Sequence, residues 1–218
     1  MEVKLVSYTT PVQELKEEGI ENLNDMIAFC ARVSNPSNQY NTETSDRLIN
    51  YLKKNRHWSP FEMVSVCLEI NTTRDISRQI LRHRSMQFQE FSGRYADPTK
   101  DLNFVIREAR LQDQKNRQNS IEVEDENLQK EWEEKQRKVI EVAKGAYEWA
   151  MSKGIAKEQA RCVLPEGNMQ TRLYMNGTIR SWIHYLEVRC GEDVQKEHRL
   201  VARACAEAIS KIFPSIKK

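Results

Sequence analysis

Apolar residues recur along the chain with two spacings, one typical of strands and one typical of helices. Between residues 64 and 70 they alternate with polar residues, which places Val64, Val66, Leu68 and Ile70 on one side of a half-buried strand. The stretch MEVKLVSYT at the N-terminus predicts a short opening strand. These are the strands that the pattern indicates directly.

Helical spacing predicts helices over 22–33 and 44–55, and a third that starts after Thr72 or Thr73 and ends near His83. Further helices are predicted over 128–154, 157–163, 178–190 and 194–213. The longest is expected to turn one apolar series towards the core: Leu128, Trp132, Val139, Val142, Ala146, Trp149 and Ala150. The whole pattern predicts an α+β fold that is rich in helices and has a modest sheet.

Residues 107–138 depart from this pattern, because they are densely charged and contain almost no apolar residues before Leu128. Such a stretch is typical of a surface excursion followed by a solvated helix. We expect it to be exposed and to lie away from the functional site. The chain has no internal repeat or low-complexity tract, so residues 1–218 are expected to form one domain.

Charge and composition exclude several classes of function. The 34 basic and 32 acidic residues nearly cancel, so no chain-wide surface for a polyanion is expected. No export signal or long apolar segment is present, which predicts a cytoplasmic protein without a membrane span. The five cysteines are widely spaced and favour buried, reduced thiols. The scattered glycines and histidines match no Rossmann, P-loop or metal-binding motif, and no metal is expected.

Arginines are concentrated in the stretch RQILRHRSMQFQEFSGRY, residues 78–95. Arg74, Arg78 and Arg82 are spaced to form a row along a helix, and Arg94 follows the flexible Gly93 and can fold back. Guanidinium groups suit bidentate recognition of phosphate or carboxylate, so the cluster indicates an anionic, nucleotide-like ligand. The alternative is a surface network in which these arginines pair with scattered acids.

A second cationic segment is GTIRSWIHYLEVRC, residues 177–190. Arg180 and His184 share one face of the predicted helix, whereas Arg189 points roughly the opposite way. The helix therefore presents cations on two faces. Either this is a helix edge plus a helix end, or the helix serves two sites of an oligomer.

In order along the chain, these segments resemble the flavin-dependent thymidylate synthases. The family signature is RHR, seven residues and then Ser, with a GRY tail; residues 82–84, Glu90 and 92–95 match it, while Gln87 and Gln89 depart from it. Four further segments match in the same order: ARVS (31–34), HWSPFE (57–62), ARCVLP (160–165) and RSWIHYLEVR (180–189). The resemblance covers about residues 31–199.

The resemblance implies an enzyme that converts dUMP to dTMP by reductive methylation. Methylenetetrahydrofolate would supply the carbon, FAD would be the redox cofactor and NADPH the reductant. It also implies a small, central, mostly antiparallel sheet and a homotetramer whose active sites are shared between subunits. No protein nucleophile is required, in agreement with the lack of a cation-rich cysteine motif. Neither nucleic acid nor membrane is expected as a partner.

By the same resemblance, residues take roles position by position. Arg189 is expected to be catalytic, because a guanidinium beside the uracil edge favours the N3-ionised form and makes C5 a better nucleophile. The expected FAD contacts are Ser59, Arg82, His83, Arg84, Glu90, Thr178, Ile179, Arg180 and His184. The expected dUMP contacts are Gln79, Ile80, Leu81, Arg82, Glu90, Phe91, Ser92, Gly93, Arg94, Arg161 and Arg189.

Two other classes of protein remain as alternatives. Arginines interleaved with Phe88, Phe91 and Tyr95 could track phosphates and stack bases, as in a single-stranded nucleic-acid-binding protein that uses residues 78–95. The near-neutral charge argues against it. A purely structural oligomerisation module would explain the amphipathic helices but not the polar HWSPFE and RHR segments.

Overall fold

A computed structural model of the chain describes residues 2–217. Its strands are β1 (Glu2–Tyr8), β2 (Ser65–Thr73), β3 (Gln87–Glu90), β4 (Arg110–Gln112), β5 (Ser120–Glu122) and β6 (Gln170–Thr178). Its α-helices are α1 (Gln13–Glu17), α2 (Leu23–Ala31), α3 (Ser45–Lys54), α4 (Arg74–Ile80), α5 (Pro98–Asp101), α6 (Glu126–Ser152), α7 (Lys157–Ala160), α8 (Ile179–Arg189) and α9 (Lys196–Ser210). Short 3₁₀ turns cover Pro36–Asn38, Ser59–Glu62, Arg161–Val163 and Pro214–Lys217.

The main sheet has four antiparallel strands in the order β1-β2-β6-β3. On β2, Val66, Leu68 and Ile70 are fully buried, so the predicted alternating strand is confirmed. The apolar pattern did not predict β6, although Leu173 and Met175 on it are also fully buried. Its apolar positions are interrupted by arginine, asparagine and glycine, and its neighbour β2 supplies the pairing that stabilises it. The small, antiparallel sheet is confirmed.

Helix ends lie close to the predicted boundaries, and side chains explain several of them. Asn22 caps α2 by accepting a hydrogen bond from the backbone N–H of Asp25 at 3.0 Å. Thr178 caps α8 in the same way through the N–H of Ser181 at 3.3 Å. The predicted helix after β2 is confirmed as α4, but it ends at Ile80, earlier than expected.

The core lies between the sheet and the helices α8 and α9. Trp182, Tyr185, Phe61 and Phe213 are its largest fully buried side chains. The Trp182 indole N–H donates to the backbone carbonyl of Val66 at 3.0 Å, which joins α8 to β2. None of the helices within residues 2–217 combines the length and the apolar character needed to cross a membrane.

Helix α6 turns a different face towards the protein than the apolar series predicts. Its buried residues are Gln136, Ala143, Tyr147 and Ala150. The residues expected in the core are exposed instead: Trp132 (44%), Val139 (54%), Val142 (73%) and Trp149 (59%). Ala150 alone of that series is buried, so the predicted orientation was wrong. The correct face carries Gln136, a polar residue that an apolar pattern does not select.

The charged stretch 107–138 forms the hairpin β4–β5 and the first part of α6, and several polar side chains join it to the rest of the protein. Arg107 donates to Asp75 at 2.7 Å and to Thr73 at 2.6 Å. The side-chain amide of Gln136 exchanges hydrogen bonds with the backbone of Arg107 at 2.9 and 2.8 Å, and its oxygen also accepts from Asn168 at 2.9 Å. Arg110 forms a close ion pair with Glu197 on α9.

The cysteines differ in exposure. Cys205 is fully buried and Cys30, Cys67 and Cys190 are partly buried, but Cys162 is exposed, which corrects the expectation that all are buried. Burial raises the pKa of Cys30, Cys67, Cys190 and Cys205. These four thiols are therefore poor nucleophiles at neutral pH.

Candidate functional site

The carboxylate of Glu90 connects the arginine-rich helix to the sheet. Ser77 and Thr171 donate hydroxyl hydrogen bonds to its Oε1 atom at 2.6 and 2.9 Å. Arg74 and Arg78 lie 4.0 and 3.9 Å from its oxygens. Because only 14% of this side chain is exposed, the two hydroxyls and two cations stabilise a carboxylate that would otherwise be costly to bury.

Next to Glu90 is a cavity of about 390 Å³ that brings together Gly93 and Arg161, two of the predicted substrate residues. A Cβ atom on Gly93 would lie 3.6 Å from both Cδ of Arg161 and Cγ of Pro98, so a side chain there would fill the space beside the guanidinium. Arg161 forms no ion pair within residues 2–217. The cavity therefore holds a cation that is available to a ligand.

Acidic side chains occupy part of the same region. Arg78 donates to Glu166 at 3.3 Å, and Arg94 lies 3.4 Å from Glu158 instead of folding back on the row of arginines. All four side chains are about half exposed. Exposed ion pairs are worth only ~0–1 kcal/mol, so a bound phosphate can compete with them.

Arg82 and Arg84 are the most accessible cations of the RHR segment. Helix α4 has ended before them, and two turn hydrogen bonds take over: Leu81 N–H to the Ser77 carbonyl at 2.8 Å and His83 N–H to the Ile80 carbonyl at 3.1 Å. Arg82 therefore leaves the predicted row. Both guanidinium groups are exposed, and neither forms an ion pair in the part of the chain that the structure describes.

His83 and Arg189 meet although 106 positions separate them in sequence. The Nε–H of Arg189 donates to His83 Nε2 at 2.9 Å, so this imidazole is neutral and carries its proton on Nδ1. Burial, and then the positive charges of Arg189 and His184, lower the pKa of His83 to about 4. His83 therefore stays neutral at physiological pH.

A second and larger cavity, of about 580 Å³, lies at the start of α8 and is lined by Arg180, His184, Trp58 and Ser85. Arg180 forms a close ion pair with Glu62 of the HWSPFE segment, and Ser59 is exposed at the start of the same 3₁₀ turn. Arg180 and His184 share this cavity, while Arg189 turns towards His83. The prediction that α8 presents cations on two faces is thus confirmed.

The remaining predicted residues differ in how they could contact a ligand. Ile80 and Ile179 have fully buried side chains, so only their backbone is available. Leu81, Phe91 and Ser92 are partly exposed, and Ser92 accepts a hydrogen bond from the Arg94 N–H at 3.3 Å. Within residues 2–217, no hydrogen bond joins Arg189 to the cavity around Arg161.

Three polar residues next to the site were not predicted: Tyr185, Gln195 and His198. Tyr185 is hydrogen-bonded to His198, and His198 and Gln195 are each hydrogen-bonded to the predicted residue Gln79. His198 lies on the apolar face of α9 together with Val201, Ala202 and Cys205. A histidine on an apolar face was the sequence signal that could have identified it.

Comparisons with known proteins place the chain in a family. Residues 18–215 match the family model described as thymidylate synthase complementing protein. A probable flavin-dependent thymidylate synthase of Paramecium bursaria Chlorella virus 1 is 46% identical over 218 residues, covering 100% of this chain and 98% of the viral one. The flavin-dependent thymidylate synthase of Synechocystis sp. is 48% identical over 216 residues, covering 99% and 97%.

The chain belongs to the flavin-dependent thymidylate synthase family. The resemblance carried by the RHR and HWSPFE segments is thereby confirmed. A solved structure agrees with the fold: the UMP/dUMP methylase PolB from Streptomyces cacaoi, bound with 5-Br dUMP, superposes with a TM-score of 0.77 at 25% identity. The match covers 96% of this chain and 90% of the methylase.

Family membership makes a flavin the cofactor to compare with the geometry. A cavity of about 580 Å³ is within the usual size range of cofactor sites, and it is lined by Arg56, Arg180 and the aromatic Trp58. Ser85 also lines this cavity. Just before it in the sequence, the unpaired Arg82 and Arg84 add positive charge. The carboxylates of Glu62 and Glu187 also line the cavity, and Glu62 pairs with Arg180. The remaining cations and the aromatic wall fit a group that has a diphosphate and flat rings. No group of three or more metal-ligating side chains is found in the described part of the chain.

Proposed function

We propose that this protein converts dUMP to dTMP by reductive methylation, with 5,10-methylenetetrahydrofolate as carbon donor, FAD as redox cofactor and NADPH as reductant. The observation that carries the proposal is the pairing of His83 from the RHR segment with Arg189 from the distant RSWIHYLEVR segment at 2.9 Å. Two motifs that identify the family in sequence meet in space, and Arg180 and His184 of the second motif line the larger cavity.

Arg189 is the proposed catalytic residue. Its hydrogen bond to His83 uses Nε–H, and no hydrogen bond from the described residues occupies its two terminal nitrogens. These nitrogens are free to face the edge of the uracil ring, where a guanidinium stabilises the N3-ionised form and makes C5 more nucleophilic. Such preorganised charge stabilisation is worth roughly 3–4 kcal/mol in comparable sites.

The nucleotide is proposed to bind along α4 and the segment that follows it. The half-exposed and unpaired arginines Arg82 and Arg161 support phosphate binding, and Gly93 leaves space beside the second of them. The other proposed dUMP contacts follow the same path: Gln79, Ile80, Leu81, Glu90, Phe91, Ser92, Arg94 and Arg189. The buried side chain of Ile80 restricts it to a backbone contact.

FAD supplies the redox chemistry of the reaction when it is bound. The chain's own residues are proposed to hold its diphosphate and to stack against its rings at the larger cavity. Arg180, His184 and the exposed Ser59 support this placement. The proposed set also contains Arg82, His83, Arg84, Glu90, Thr178 and Ile179.

We propose a cytoplasmic homotetramer whose sites are shared between subunits. Two observations support subunit sharing. Arg82 and Arg84 are exposed and have no ion-pair partner among residues 2–217, and α6 exposes the apolar Trp132, Val139, Val142 and Trp149. Exposed apolar faces of this kind mark contact surfaces.

The test is an absorption spectrum of the purified protein followed by titration with dUMP. We expect visible flavin absorption that dUMP perturbs, because both ligands would occupy neighbouring parts of one site. A colourless protein that cannot be reconstituted with FAD would overturn the proposal. Salt-dependent binding of single-stranded DNA by such a protein would favour the nucleic-acid-binding alternative.

A further inference from the structure

A chain of hydrogen bonds joins α8, α9 and α4, and it runs from a buried tyrosine and histidine to partly exposed polar side chains. The hydroxyl of Tyr185 lies 3.2 Å from His198 Nε2, and His198 Nδ1 lies 3.1 Å from the side-chain oxygen of Gln79. Gln79 Nε2 donates to the side-chain oxygen of Gln195 at 2.7 Å. Gln195 Nε2 in turn donates to Glu197 at 3.0 Å.

The carboxylate at one end fixes the direction of this chain. Burial raises the pKa of Glu197, but hydrogen bonds from Arg110 and Gln195 outweigh burial, so its net pKa lies below the ordinary value. The ionised group accepts hydrogen bonds only. The amide hydrogen of Gln195 must therefore point at Glu197, and its oxygen must point at Gln79.

The same logic continues to the other end. Gln79 donates through Nε2, so its oxygen faces His198, whose Nδ1 must carry the proton. His198 Nε2 then accepts from the Tyr185 hydroxyl. Both rings are fully buried, so no water can replace a missing partner. Burial, and then the charges of Arg189 and His83, lower the pKa of His198 to about 3, which keeps this ring neutral.

The chain controls two groups that the proposed site uses. The partly exposed Gln79 uses one amide hydrogen and one lone pair in these hydrogen bonds, so its second hydrogen and second lone pair remain available in a fixed orientation. Tyr185 packs edge-on against His83, with ring centroids 4.9 Å apart, and His83 accepts the hydrogen bond of Arg189. One chain thus fixes a nucleotide contact and supports the catalytic pair.

We infer that His198 and Gln195 are positioning residues for nucleotide binding, which hold the side-chain amide of Gln79 in one of its two flip states and keep Tyr185 against the His83–Arg189 pair. The inference rests on the proposed function for the identity of the nucleotide. It assigns no contact between either positioning residue and the ligand. Each acts through Gln79 or Tyr185.

The test is a double-mutant cycle in the dissociation constant of dUMP, measured by calorimetry on the FAD-loaded protein. The variants are His198→Leu, Gln79→Leu and the double variant. A positioning role predicts that each single change raises Kd about fivefold to tenfold, the effect of one lost hydrogen bond. The fold-change of the double variant should be smaller than the product of the two single fold-changes, because His198 acts in part through Gln79.

Gln195→Met keeps the inference testable if the buried His198→Leu variant does not fold. Gln195 is only partly buried, and its loss frees the amide of Gln79 from the opposite side. It should also raise Kd by about fivefold. The matched control is Glu192→Gln, on the exposed turn before α9. Glu192 pairs with Arg199 and Arg203, which take no part in the hydrogen-bond chain, so this variant should bind dUMP like the wild type.

Three results would overturn the inference. They are wild-type affinity in folded His198→Leu and Gln195→Met variants, fold-changes that multiply in the double variant, and a proton on Nε2 of His198. The last is read from imidazole ¹⁵N shifts of the protein labelled at histidine, without any ligand. If the wild type binds no dUMP while His198 carries its proton on Nδ1, the proposed function is wrong, but the direction assigned to the hydrogen-bond chain is confirmed.

Discussion

At Arg189 a single hydrogen bond decides which part of the guanidinium faces a ligand. His83 accepts the Nε–H hydrogen bond at 2.9 Å, which leaves the terminal nitrogens for the proposed nucleotide contact. His83 can accept this bond only as a neutral ring, and its lowered pKa of about 4 keeps it neutral. Of these two basic residues, Arg189 therefore carries a positive charge, and His83 acts as a neutral hydrogen-bond acceptor.

Replacing Arg189 tests this assignment. Arg189→Ala should lower kcat about 10²–10³-fold, because charge stabilisation at the uracil edge is lost. Arg189→Lys retains a charge but has no Nε–H for His83 and no planar fork, so it should recover only part of the rate. Turnover at saturating dUMP is the measurement. The control is Arg203→Ala, whose side chain is half exposed and pairs with Glu192; equal losses in Arg189→Ala and this control would contradict the account.

His198 predicts a pH dependence of stability. Its pKa is about 3 in the folded protein and 6.5 in the unfolded chain, so the unfolded state binds more protons below pH 6.5 and acid favours unfolding. From pH 7 to pH 5 this residue alone should reduce the free energy of unfolding by about 2 kcal/mol. Urea unfolding at both pH values should show that the His198→Leu variant loses less of its free energy of unfolding between pH 7 and pH 5 than the wild type does. An identical loss in the variant and the wild type would contradict the burial of a neutral imidazole.

At the scale of elements, α8 holds the site together because its buried face is anchored to the sheet. Trp182 reaches β2 through its indole N–H, and Thr178 caps the helix where Ser181 bonds the carbonyl of Ser85 at 3.2 Å. The exposed residues of the same helix, Arg180 and His184, are thereby presented to the larger cavity.

Trp182→Phe should destabilise the protein by about 2–4 kcal/mol, since it leaves a cavity and removes the indole hydrogen bond to the Val66 carbonyl. Thermal or urea unfolding measures the change. The matched control is Tyr51→Phe, which removes one polar atom from an aromatic residue that is 56% exposed, and it should stay within about 0.5 kcal/mol of the wild type. A loss below 1 kcal/mol in Trp182→Phe would mean that α8 is held by other contacts.

The sequence predicted elements well where one face is uniformly apolar. Strand β2 and helices α2 and α3 were located from their spacing, and the start of α2 agrees with its Asn22 cap. Strand β6 was missed because its apolar positions are few and its stability comes from pairing with β2. Helix α6 was located correctly but rotated, since a buried glutamine, Gln136, lies on its inner face.

The sequence predicted individual residues of the candidate site but not the contacts between them. Family motifs pointed to His83 and Arg189, but only the fold shows that the first accepts a hydrogen bond from the second. His198 and Gln195 escaped notice because their roles depend on Gln79, more than 100 positions away. Pairings over such separations are set by tertiary packing, which single-sequence patterns do not contain.

For the whole molecule, local charge matters more than net charge. A formal net charge of +2 leaves no general affinity for polyanions. The cations that remain unpaired within residues 2–217 include Arg82, Arg84 and Arg161, all in family motifs. Most other arginines described here pair with carboxylates, so an anionic ligand is drawn to one region.

The hairpin β4–β5 is expected to tolerate a shorter tip. Side chains at residues 113–119 bond mainly to one another, for example Asn119 to Asp113 at 2.9 Å. Replacing 113–119 by a two-residue turn that keeps Arg107 and Arg110 should leave flavin content and dUMP affinity unchanged. Flavin absorbance per protomer is the measurement. The control is Arg110→Met, which removes the ion pair with Glu197. Because Glu197 orients Gln195 and, through it, Gln79, this variant should bind dUMP more weakly.

The most direct test of the account is to measure dTMP formed by the purified protein from dUMP, methylenetetrahydrofolate and NADPH, with the flavin removed and then restored. The account predicts dTMP only when FAD is present, and dTMP formation about 10²–10³-fold slower in the Arg189→Ala variant with FAD bound. Equal dTMP formation without flavin, or no dTMP from a wild-type protein that binds both FAD and dUMP, would contradict it.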